Sequence, residues 1–301
     1  MGGRTTLTHD SVEQSRQQFE GIFAGLKPML PPPTDAIKTE EVEFQPGKKL
    51  RIYSPSAPEE KLPVGLYIHS GGWYTGSIDA EDFLCRTIAE KCGMILFSPD
   101  YQLAPENPHP AGLNDVSAAY EYMHNSARSH GGNAGQKFIM GGSAGGNLTA
   151  CVALKYASHT DLRPSGLIIA CPTTCHPDAR PAEYKQRYQP DLYADSPTIS
   201  NELVYKAWEW YGAAPTDPLA SPLLHPDIKL LPPTYVAACT KDPLHQDTVF
   251  FYEECKRKGV DVDLIEWVGY PHFFWILPML QRSKEFLDEW CEHLSGMVAK
   301  A

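Results

Sequence analysis

The segment G-G-S-A-G-G at residues 141–146 constrains the fold of this chain more than any other part of its sequence. It follows a predicted strand at residues 137–140 and opens a predicted helix that runs from Ala144 to about Ser158. A serine in so tight a strand-to-helix turn has strained backbone geometry, and its neighbours must be small because the chain folds back closely on itself. The segment therefore predicts a nucleophilic Ser143 at the end of a strand, with a plain glycine-rich turn as the alternative.

Short apolar strands and amphipathic helices alternate along most of the chain, which is typical of an α/β fold. We predict strands near residues 41–44, 50–53, 64–69, 94–98, 137–140, 166–171, 234–239 and 261–267. Helices are predicted over residues 10–27, 79–92, 115–127, 144–158, 200–211, 248–258 and 283–298. This order predicts a mostly parallel central sheet with helices on both faces, in which functional groups gather at the carboxyl ends of the strands.

A second pair of glycines lies at the end of a predicted strand, in the sequence H-S-G-G-W at residues 69–73. Consecutive glycines leave their backbone N–H groups bare, so the amides of Gly71 and Gly72 can face a ligand. Together with the amide of Ala144 they would form an oxyanion hole of three donors. His69 itself is interpreted as a structural residue that holds this loop.

An activated serine needs a base and an acid that orients the base. In folds with this type of nucleophile turn, the acid and then the histidine follow the serine along the chain. Asp242 comes after the predicted strand at residues 234–239, and His272 comes after the next predicted strand. Both lie just past strand ends, so we predict that Ser143, Asp242 and His272 form a catalytic triad.

Five other ionisable residues compete for the roles of acid and base. Asp247 is expected at the start of a helix, where its carboxylate would cap free N–H groups, and Glu266 is expected inside a strand. The alternative bases are interpreted as surface or helix residues, and they are His245, His225 and His293.

Two further segments, D-Y-Q-L-A-P-E at residues 100–106 and D-P-L at residues 242–244, complete a set of five motifs. In this order the motifs resemble those of the hormone-sensitive lipase family of α/β-hydrolases, over a region from about His69 to Phe273. The resemblance implies an α/β-hydrolase fold, carboxylesterase activity, and the triad and oxyanion hole assigned above. We have no direct chemical derivation for residues 100–106, which we expect to pack beneath the oxyanion loop and orient it.

Three positions depart from the family pattern. Ser70 replaces the first glycine of the oxyanion segment, Gly142 replaces the acidic residue before the nucleophile, and Phe273 replaces the glycine that follows the histidine. None of these changes removes a catalytic group. The departures therefore bear on the substrate rather than on the mechanism.

The resemblance also implies a cap over the active site, which residues 1–45 and 172–222 would form on a single domain spanning residues 1–301. The second of these segments is rich in Pro and Tyr and breaks the alternation of strands and helices. Its one plausible helix, together with the helix at residues 10–27, would shelter a pocket. The aromatic candidates for lining this pocket are Trp73, Tyr101, Trp208, Trp210 and Tyr211.

Composition excludes several other classes of function. The formal net charge is -11, and no basic cluster exists beyond residues 256–258, which argues against nucleic-acid binding. The longest apolar run, at residues 273–280, is too short to span a membrane. The spacing of Cys171, Cys175 and His176 is not a standard zinc pattern, so no metal or cofactor is expected. A cytoplasmic location and a homodimer are kept as hypotheses.

The sequence thus predicts a serine carboxylesterase that hydrolyses a small to medium carboxylic ester through an acyl-enzyme intermediate. The alternative is a biosynthetic enzyme of secondary metabolism that uses the same triad for lactonisation, condensation or acyl transfer. A non-catalytic ligand receptor is less favoured, because receptors that resemble this family can lose the histidine that is present here as His272. The product discriminates between the first two hypotheses: a free acid, or a cyclised or condensed molecule.

Overall fold

The computed structural model describes residues 6–7, 9–57 and 61–301. Residues 1–5 and 8 of the cap segment predicted at residues 1–45 lie outside this description. The described chain is built around one sheet of eight strands, in the spatial order β1-β2-β4-β3-β5-β6-β7-β8.

The strands are β1 Ile37–Gln45, β2 Lys48–Pro55, β3 Leu62–Ile68, β4 Ile95–Pro99, β5 Gly132–Gly142, β6 Gly166–Ala170, β7 Thr234–Cys239 and β8 Val262–Trp267. The helices are α1 Val12–Leu26, α2 Asp82–Cys92, α3 Ala111–Ser126, α4 Ala144–Lys155, α5 Ala182–Arg187, α6 Asn201–Tyr211, α7 His245–Arg257 and α8 Gln281–Val298. Short 3₁₀ turns connect several of them.

The mostly parallel sheet predicted from the sequence is confirmed. From β4 to β8 in spatial order, neighbouring strands pair in parallel. Strands β1 and β2 form an antiparallel hairpin, and β2 pairs with β4 in antiparallel orientation. Helices α3 and α4 pack against each other, as do α2 and α8, and all four contact strands of the sheet. Because the central strands run in parallel, the loops that follow β3, β5, β7 and β8 leave the sheet at the same edge.

Most of the central strands are buried because both faces of the sheet are covered. Every residue of β4, β6 and β7 is buried. Strand β1 differs, since most of its side chains are exposed at the edge of the sheet. Its weak alternation explains why the sequence predicted only residues 41–44 of a strand that runs from Ile37 to Gln45.

Helices α3 and α7 begin three or more residues earlier than their periodicity predicted. Helix α3 begins at Ala111 rather than at residue 115, and α7 begins at His245 rather than at residue 248. The first turn of α7 follows a tight turn in which the N–H of His245 donates to the carbonyl of Asp242. This turn places Asp247 inside the helix, so its predicted role as the capping residue is wrong.

Helix α1 begins after Ser11, whose hydroxyl accepts a hydrogen bond from the N–H of Gln14. Its side chains anchor it to loops of the sheet edge: Ser15 hydrogen-bonds Tyr74, and Arg16 donates to two backbone carbonyls and to Glu106. The apolar face of α1 packs its two phenylalanine rings against Phe273.

Helix α4 approaches β3 so closely that one of its residues must be glycine. A Cβ atom on Gly145 would lie 2.1 Å from the carbonyl oxygen of Ile68 and 2.7 Å from that of His69. Both obstacles are backbone atoms, so they cannot move aside as a flexible side chain would. No helix of the described ranges is both long and apolar enough to cross a membrane.

We expect Gly145→Ala to destabilise the protein strongly, because the added methyl group would separate α4 from the end of β3. Overpacking of a buried contact costs about 1–3 kcal/mol, and rigid backbone obstacles favour the upper end of this range. The matched control is Gly25→Ala on the exposed side of α1, where an added Cβ meets no atom within 4 Å. There the gain in helix propensity should leave stability equal or higher by up to about 1 kcal/mol. Urea denaturation of the two variants measures this difference, and equal stabilities would contradict the prediction.

Candidate active site

Three polar side chains project from loops at the carboxyl edge of the sheet. Ser143 follows β5, Asp242 follows β7, and His272 lies in the loop after β8. Each is buried, with exposed fractions of 9%, 0% and 4% respectively. The structure therefore brings together, from widely separated positions in the sequence, the three residues predicted as the triad.

Ser143 has the strained backbone expected of a serine in a tight strand-to-helix turn. Its φ is 54° and its ψ is -124°, a conformation that side-chain-bearing residues rarely adopt. The surrounding structure holds this conformation, since the N–H of Ser143 donates to the carbonyl of Ala170 at 2.8 Å and its carbonyl accepts from Asn147. The turn therefore aims the Ser143 hydroxyl away from the helix axis and toward the histidine loop.

A continuous chain of hydrogen bonds joins the three side chains. The Oγ of Ser143 lies 2.9 Å from the Nε2 of His272, and the Nδ1 of His272 lies 2.6 Å from a carboxylate oxygen of Asp242. The other oxygen of this carboxylate accepts from the N–H of Leu244 at 2.8 Å. Because a carboxylate only accepts, the proton of the imidazole lies on Nδ1, and Nε2 is left free to accept the proton of the serine.

The electrostatic environment of His272 contains two opposing effects. Burial disfavours the charged imidazolium and lowers the pKa of His272, whereas the charge and hydrogen bond of Asp242 raise it. The effect of Asp242 dominates, so the pKa of His272 lies above that of a free histidine. The pair can therefore stabilise a proton that arrives on the imidazole.

Cys171 contacts the same pair from the end of β6. Potential ligand atoms of Cys171, Asp242 and His272 lie within 4.8 Å of one another. Burial raises the pKa of the Cys171 thiol well above its usual value. Both ring nitrogens of His272 are engaged by Asp242 and Ser143, so we interpret Cys171 as a packing partner of the histidine.

The rival acids and bases have partners of their own. His245 hydrogen-bonds Glu266 at 2.7 Å through Nε2, so these two candidates pair with each other. Asp247 is buried and accepts from the N–H of Thr174 at 2.7 Å, with Arg180 at 3.4 Å from its other oxygen. The remaining histidines, His225 and His293, contact residues near them in sequence.

The loop after β3 places two glycines beside Ser143. Gly71 has a φ of 119°, and a Cβ atom there would lie 2.1 Å from the carbonyl oxygen of Thr75, so only glycine fits. The carbonyl of Gly71 accepts from the amides of Tyr74 and Thr75, which closes the loop into a tight turn. Gly71, Gly72 and Ala144 all border the same cavity as Ser143.

His69 and Tyr101 support this loop from below. The Nδ1 of His69 lies 2.8 Å from the carbonyl oxygen of Ser70, which can only accept, so this nitrogen carries the proton. Burial lowers the pKa of His69 to about 4, so its ring is neutral. Tyr101 stacks on the ring at 4.1 Å and donates its hydroxyl to the carbonyl of His69. These contacts agree with the structural interpretation of His69, and Tyr101 packs beneath the loop in the way expected for residues 100–106.

An apolar cavity opens beside Ser143 and His272. Among the described residues that line it, none is a Lys, Arg, Asp or Glu, and His272 is the one histidine. The larger apolar side chains come from the N-terminal segment, the loop after β3, helix α6 and the loops around His272. They are Leu7, Phe19, Ile22, Phe23, Trp73, Ile199, Leu203, Val204, Trp208, Leu244, Phe273 and Ile276.

The predicted lining residues divide into two groups. Trp73 and Trp208 border the cavity, and the Nε1 of Trp208 donates to Thr173. Tyr101 and Tyr211 do not border it: Tyr101 lies under His69, and Tyr211 stacks behind Trp73 at 4.2 Å. Both support wall residues instead of forming the wall.

Trp210 also lies off the wall, where it packs edge-on against Tyr74. The sequence predicted that the helix at residues 10–27 shelters the pocket, but it did not identify Phe19, Ile22 and Phe23 as wall residues. Their spacing along one helical face was a usable signal, but periodicity alone does not tell which surface a face will contact.

The chain matches known proteins over most of its length. The family model described as "alpha/beta hydrolase fold" matches residues 65–276. The versiconal hemiacetal acetate esterase of Dothistroma septosporum is 31% identical over 99% of this chain and 92% of its own length. The crystal structure of vibralactone cyclase has a TM-score of 0.88 and 28% identity, covering 100% of this chain and 97% of that one.

A third similar protein is the hyperthermophilic esterase from the archaeon Pyrobaculum calidifontis, with a TM-score of 0.86 and 26% identity. It covers 97% of this chain, and this chain covers 93% of it. The chain belongs to the α/β-hydrolase family, and the resemblance to hormone-sensitive lipase relatives drawn from its five motifs is confirmed.

Proposed function

We propose that this protein is a serine carboxylesterase in which Ser143 is the nucleophile, His272 the general base and Asp242 the orienting acid. The observation that carries the proposal is the continuous chain of hydrogen bonds from the Ser143 hydroxyl through His272 to Asp242. Two of the three named relatives are esterases according to their names, which agrees with this chemistry. Every group that the reaction requires is supplied by the chain itself.

In the first half of the reaction, His272 takes the proton of Ser143 while the serine oxygen attacks the ester carbonyl. Negative charge then develops on the carbonyl oxygen, and the amides of Gly71, Gly72 and Ala144 stabilise it. Asp242 holds the imidazole in the required tautomer and stabilises its charged form. His272 then protonates the leaving alcohol, and an acyl group remains on Ser143.

In the second half, water enters the position of the alcohol and His272 takes its proton. Attack on the acyl group forms a second tetrahedral intermediate, which the same three amides stabilise. The intermediate collapses, the proton returns to Ser143, and the carboxylic acid is released. Beyond the triad and the three amides, this half of the reaction requires that a water molecule reaches the acyl carbon.

The cavity favours an uncharged, apolar ester of small to medium size. Its described lining offers aromatic and aliphatic surfaces, and it offers no Lys or Arg side chain that could pair with an anionic substrate. An ionised group placed there would lose its hydration without compensation. The proposed substrate is therefore an ester with apolar acyl and alcohol groups.

Helix α1 and the segment around α6 form the proposed cap over this cavity. Leu7 and Thr198 are joined by a backbone hydrogen bond of 2.9 Å, which links the N-terminal segment to the 172–222 insertion. Phe19 and Phe23 meet Phe273 at ring distances of 6.2 and 6.1 Å. The residue that departs from the family pattern after the histidine thus connects the cap to the catalytic loop.

The second candidate function is cyclisation or acyl transfer in secondary metabolism. It is favoured by the sheltered, apolar cavity and by the similarity to vibralactone cyclase along the whole chain. A hydroxyl group of the substrate held near the acylated serine would compete with water for the acyl carbon. Mass spectrometry of the products separates the two functions, since hydrolysis adds water and cyclisation does not.

A cytoplasmic location and a homodimer remain part of the proposal, and analytical ultracentrifugation measures the oligomeric state.

We expect a fluorophosphonate probe to label Ser143, because an activated serine reacts with it much faster than any other serine. The variant Ser143→Ala should lose labelling and ester hydrolysis together while it keeps the melting temperature of the wild type. Tandem mass spectrometry of the labelled protein identifies the modified residue. Attachment at another serine of the wild type, or full activity of the variant, would contradict the proposal.

We expect Asp242→Asn to lower the turnover rate by a factor on the order of 10⁴, because the amide holds the imidazole in the wrong tautomer. The acid limb of the pH–rate profile should move to lower pH, since loss of the carboxylate removes the effect that raises the pKa of His272. A stopped assay with p-nitrophenyl butyrate at several pH values measures both changes.

The matched control for this variant is Asp247→Asn. Asp247 is also a buried aspartate, but it pairs with Arg180 and Thr174 rather than with the histidine. Losing half of a buried ion pair should lower the melting temperature and leave the turnover rate of the folded enzyme unchanged. If the control were the inactive enzyme and Asp242→Asn were active, the assigned acid would be wrong.

We expect Phe23→Ala to shift the preference of the enzyme toward longer acyl chains, because Phe23 borders the cavity and packs on Phe273. Truncation enlarges the cavity on the side of α1. The measurement is kcat/KM for p-nitrophenyl esters from acetate to decanoate. The control is Gln17→Ala, an exposed position of the same helix. An unchanged chain-length profile in Phe23→Ala would show that α1 takes no part in substrate selection.

A further inference from the structure

Glu81 is a buried acid that the proposed reaction does not use. It lies directly before α2 and is only 1% exposed, yet its side chain makes no capping hydrogen bond to that helix. The carboxyl group points instead toward β3 and the loop that follows it. There it accepts hydrogen bonds from the Tyr67 hydroxyl and, at 2.8 Å, from the N–H of Ser70.

Burying a carboxyl group without a cation is unfavourable. Within the part of the chain that the structure describes, no Lys, Arg or His pairs with Glu81, and its neighbours include Tyr67, Tyr101 and Cys85. Burial raises the pKa of Glu81 to about 7, although the hydrogen bonds from Tyr67 and Ser70 oppose this rise. Because burial of this carboxyl group is unfavourable, we expect it to have a function in the loop that it contacts.

The loop contains two successive peptide groups that are held by side chains. In the peptide group between His69 and Ser70, the N–H donates to Glu81 and the carbonyl accepts from the Tyr101 hydroxyl at 3.2 Å. The next peptide group, between Ser70 and Gly71, has its carbonyl bound by the His69 ring at 2.8 Å. Three side chains from three different elements thus orient one short stretch of backbone.

A peptide group is planar, so fixing the direction of its carbonyl also fixes the direction of its N–H. The N–H of Gly71 belongs to the second of these peptide groups, and it makes no hydrogen bond within the described chain. Gly71 borders the cavity next to Ser143. Its amide is therefore an unused donor, held by its neighbours in a loop that borders the cavity of Ser143.

We propose that Glu81 is a positioning residue for the oxyanion hole: its carboxyl group holds the Ser70 amide, and through this peptide group it aims the N–H of Gly71 at the developing oxyanion. This inference rests on the proposed function. A carboxyl group suits the position because its two oxygens accept from two donors at once. A residue without an acceptor would leave the Ser70 amide and the Tyr67 hydroxyl without their hydrogen bonds.

The test uses two substitutions at this position. Glu81→Leu keeps most of the volume and removes both acceptors. Glu81→Gln keeps an oxygen for the Ser70 amide, and its NH₂ group can donate to the Tyr67 oxygen once the phenol proton turns away. The control for loss of a buried carboxyl is Glu254→Leu on α7. It removes an acid that is 6% exposed and that contacts Tyr184 of α5 and Arg257 of its own helix.

Two kinetic quantities report on the oxyanion hole. They are kcat for p-nitrophenyl butyrate and the inhibition constant of an alkyl trifluoromethyl ketone, which Ser143 would convert to a tetrahedral oxyanion. For Glu81→Leu we expect kcat to fall by about 10- to 100-fold and inhibition to weaken by a similar factor, with KM unchanged, because an oxyanion donor acts mainly in the transition state. Glu81→Gln should stay within about threefold of the wild type, and Glu254→Leu should lose thermal stability but not kcat.

Hydrogen exchange of the peptide covering residues 69–76 gives a readout that does not depend on activity. Exchange should become faster in Glu81→Leu and stay near the wild-type rate in Glu81→Gln, since the Ser70 amide loses its acceptor only in the first variant. Unchanged exchange and unchanged kcat in Glu81→Leu would overturn the inference, as would equal losses in the two variants. If exchange responds as expected but the wild type hydrolyses no ester, the proposed function fails while the role of Glu81 in holding the loop stands.

Discussion

The close contact between the start of α4 and the end of β3 is the constraint on which the rest of the site depends. Gly145 lies so near the carbonyl oxygens of Ile68 and His69 that no side chain fits between them. This contact brings the serine turn and the glycine loop side by side, so that the nucleophile and the amide donors share one cavity. Ser143, whose backbone is strained, lies in the sharp turn between β5 and α4, directly before the helix begins.

Hydrogen bonds between buried groups orient the side chains and the backbone around this contact. Asp242 orients the imidazole of His272, and the neutral ring of His69 orients the Ser70 carbonyl. A low-dielectric surrounding strengthens such hydrogen bonds and makes unpaired groups costly. Burial lowers the pKa of both histidines, but only His272 faces a carboxylate, so the pKa of His272 is raised overall and that of His69 is lowered. One histidine is thus suited to proton transfer and the other to a structural role.

The cavity links catalysis to the elements outside the sheet. Phe273 directly follows His272, has a φ of 64°, and packs on the rings of Phe19 and Phe23 from α1. A glycine at this position would tolerate that backbone conformation more easily but would offer no side chain to the helix. Phenylalanine at this position is therefore less favourable for the backbone than glycine, but its ring joins the histidine loop to the cavity wall.

The sequence by itself determined the fold class, the order of the strands and helices along the chain, and the positions of Ser143, Asp242 and His272. These features depend on turn-forming residues and on hydrophobic periodicity, and both can be recognised from residues that are neighbours in sequence. Only the tertiary structure decided which residues line the cavity. Phe19, Phe23 and Val204 lie far apart in sequence and meet only when α1 and α6 dock, whereas Tyr101 and Tyr211, equally aromatic, lie behind the wall. The same holds for Asp247 and Glu81, whose carboxylates both sit at helix starts, where a cap is expected. Their side chains instead turn inward to long-range donors, and no local pattern encodes where those donors will lie.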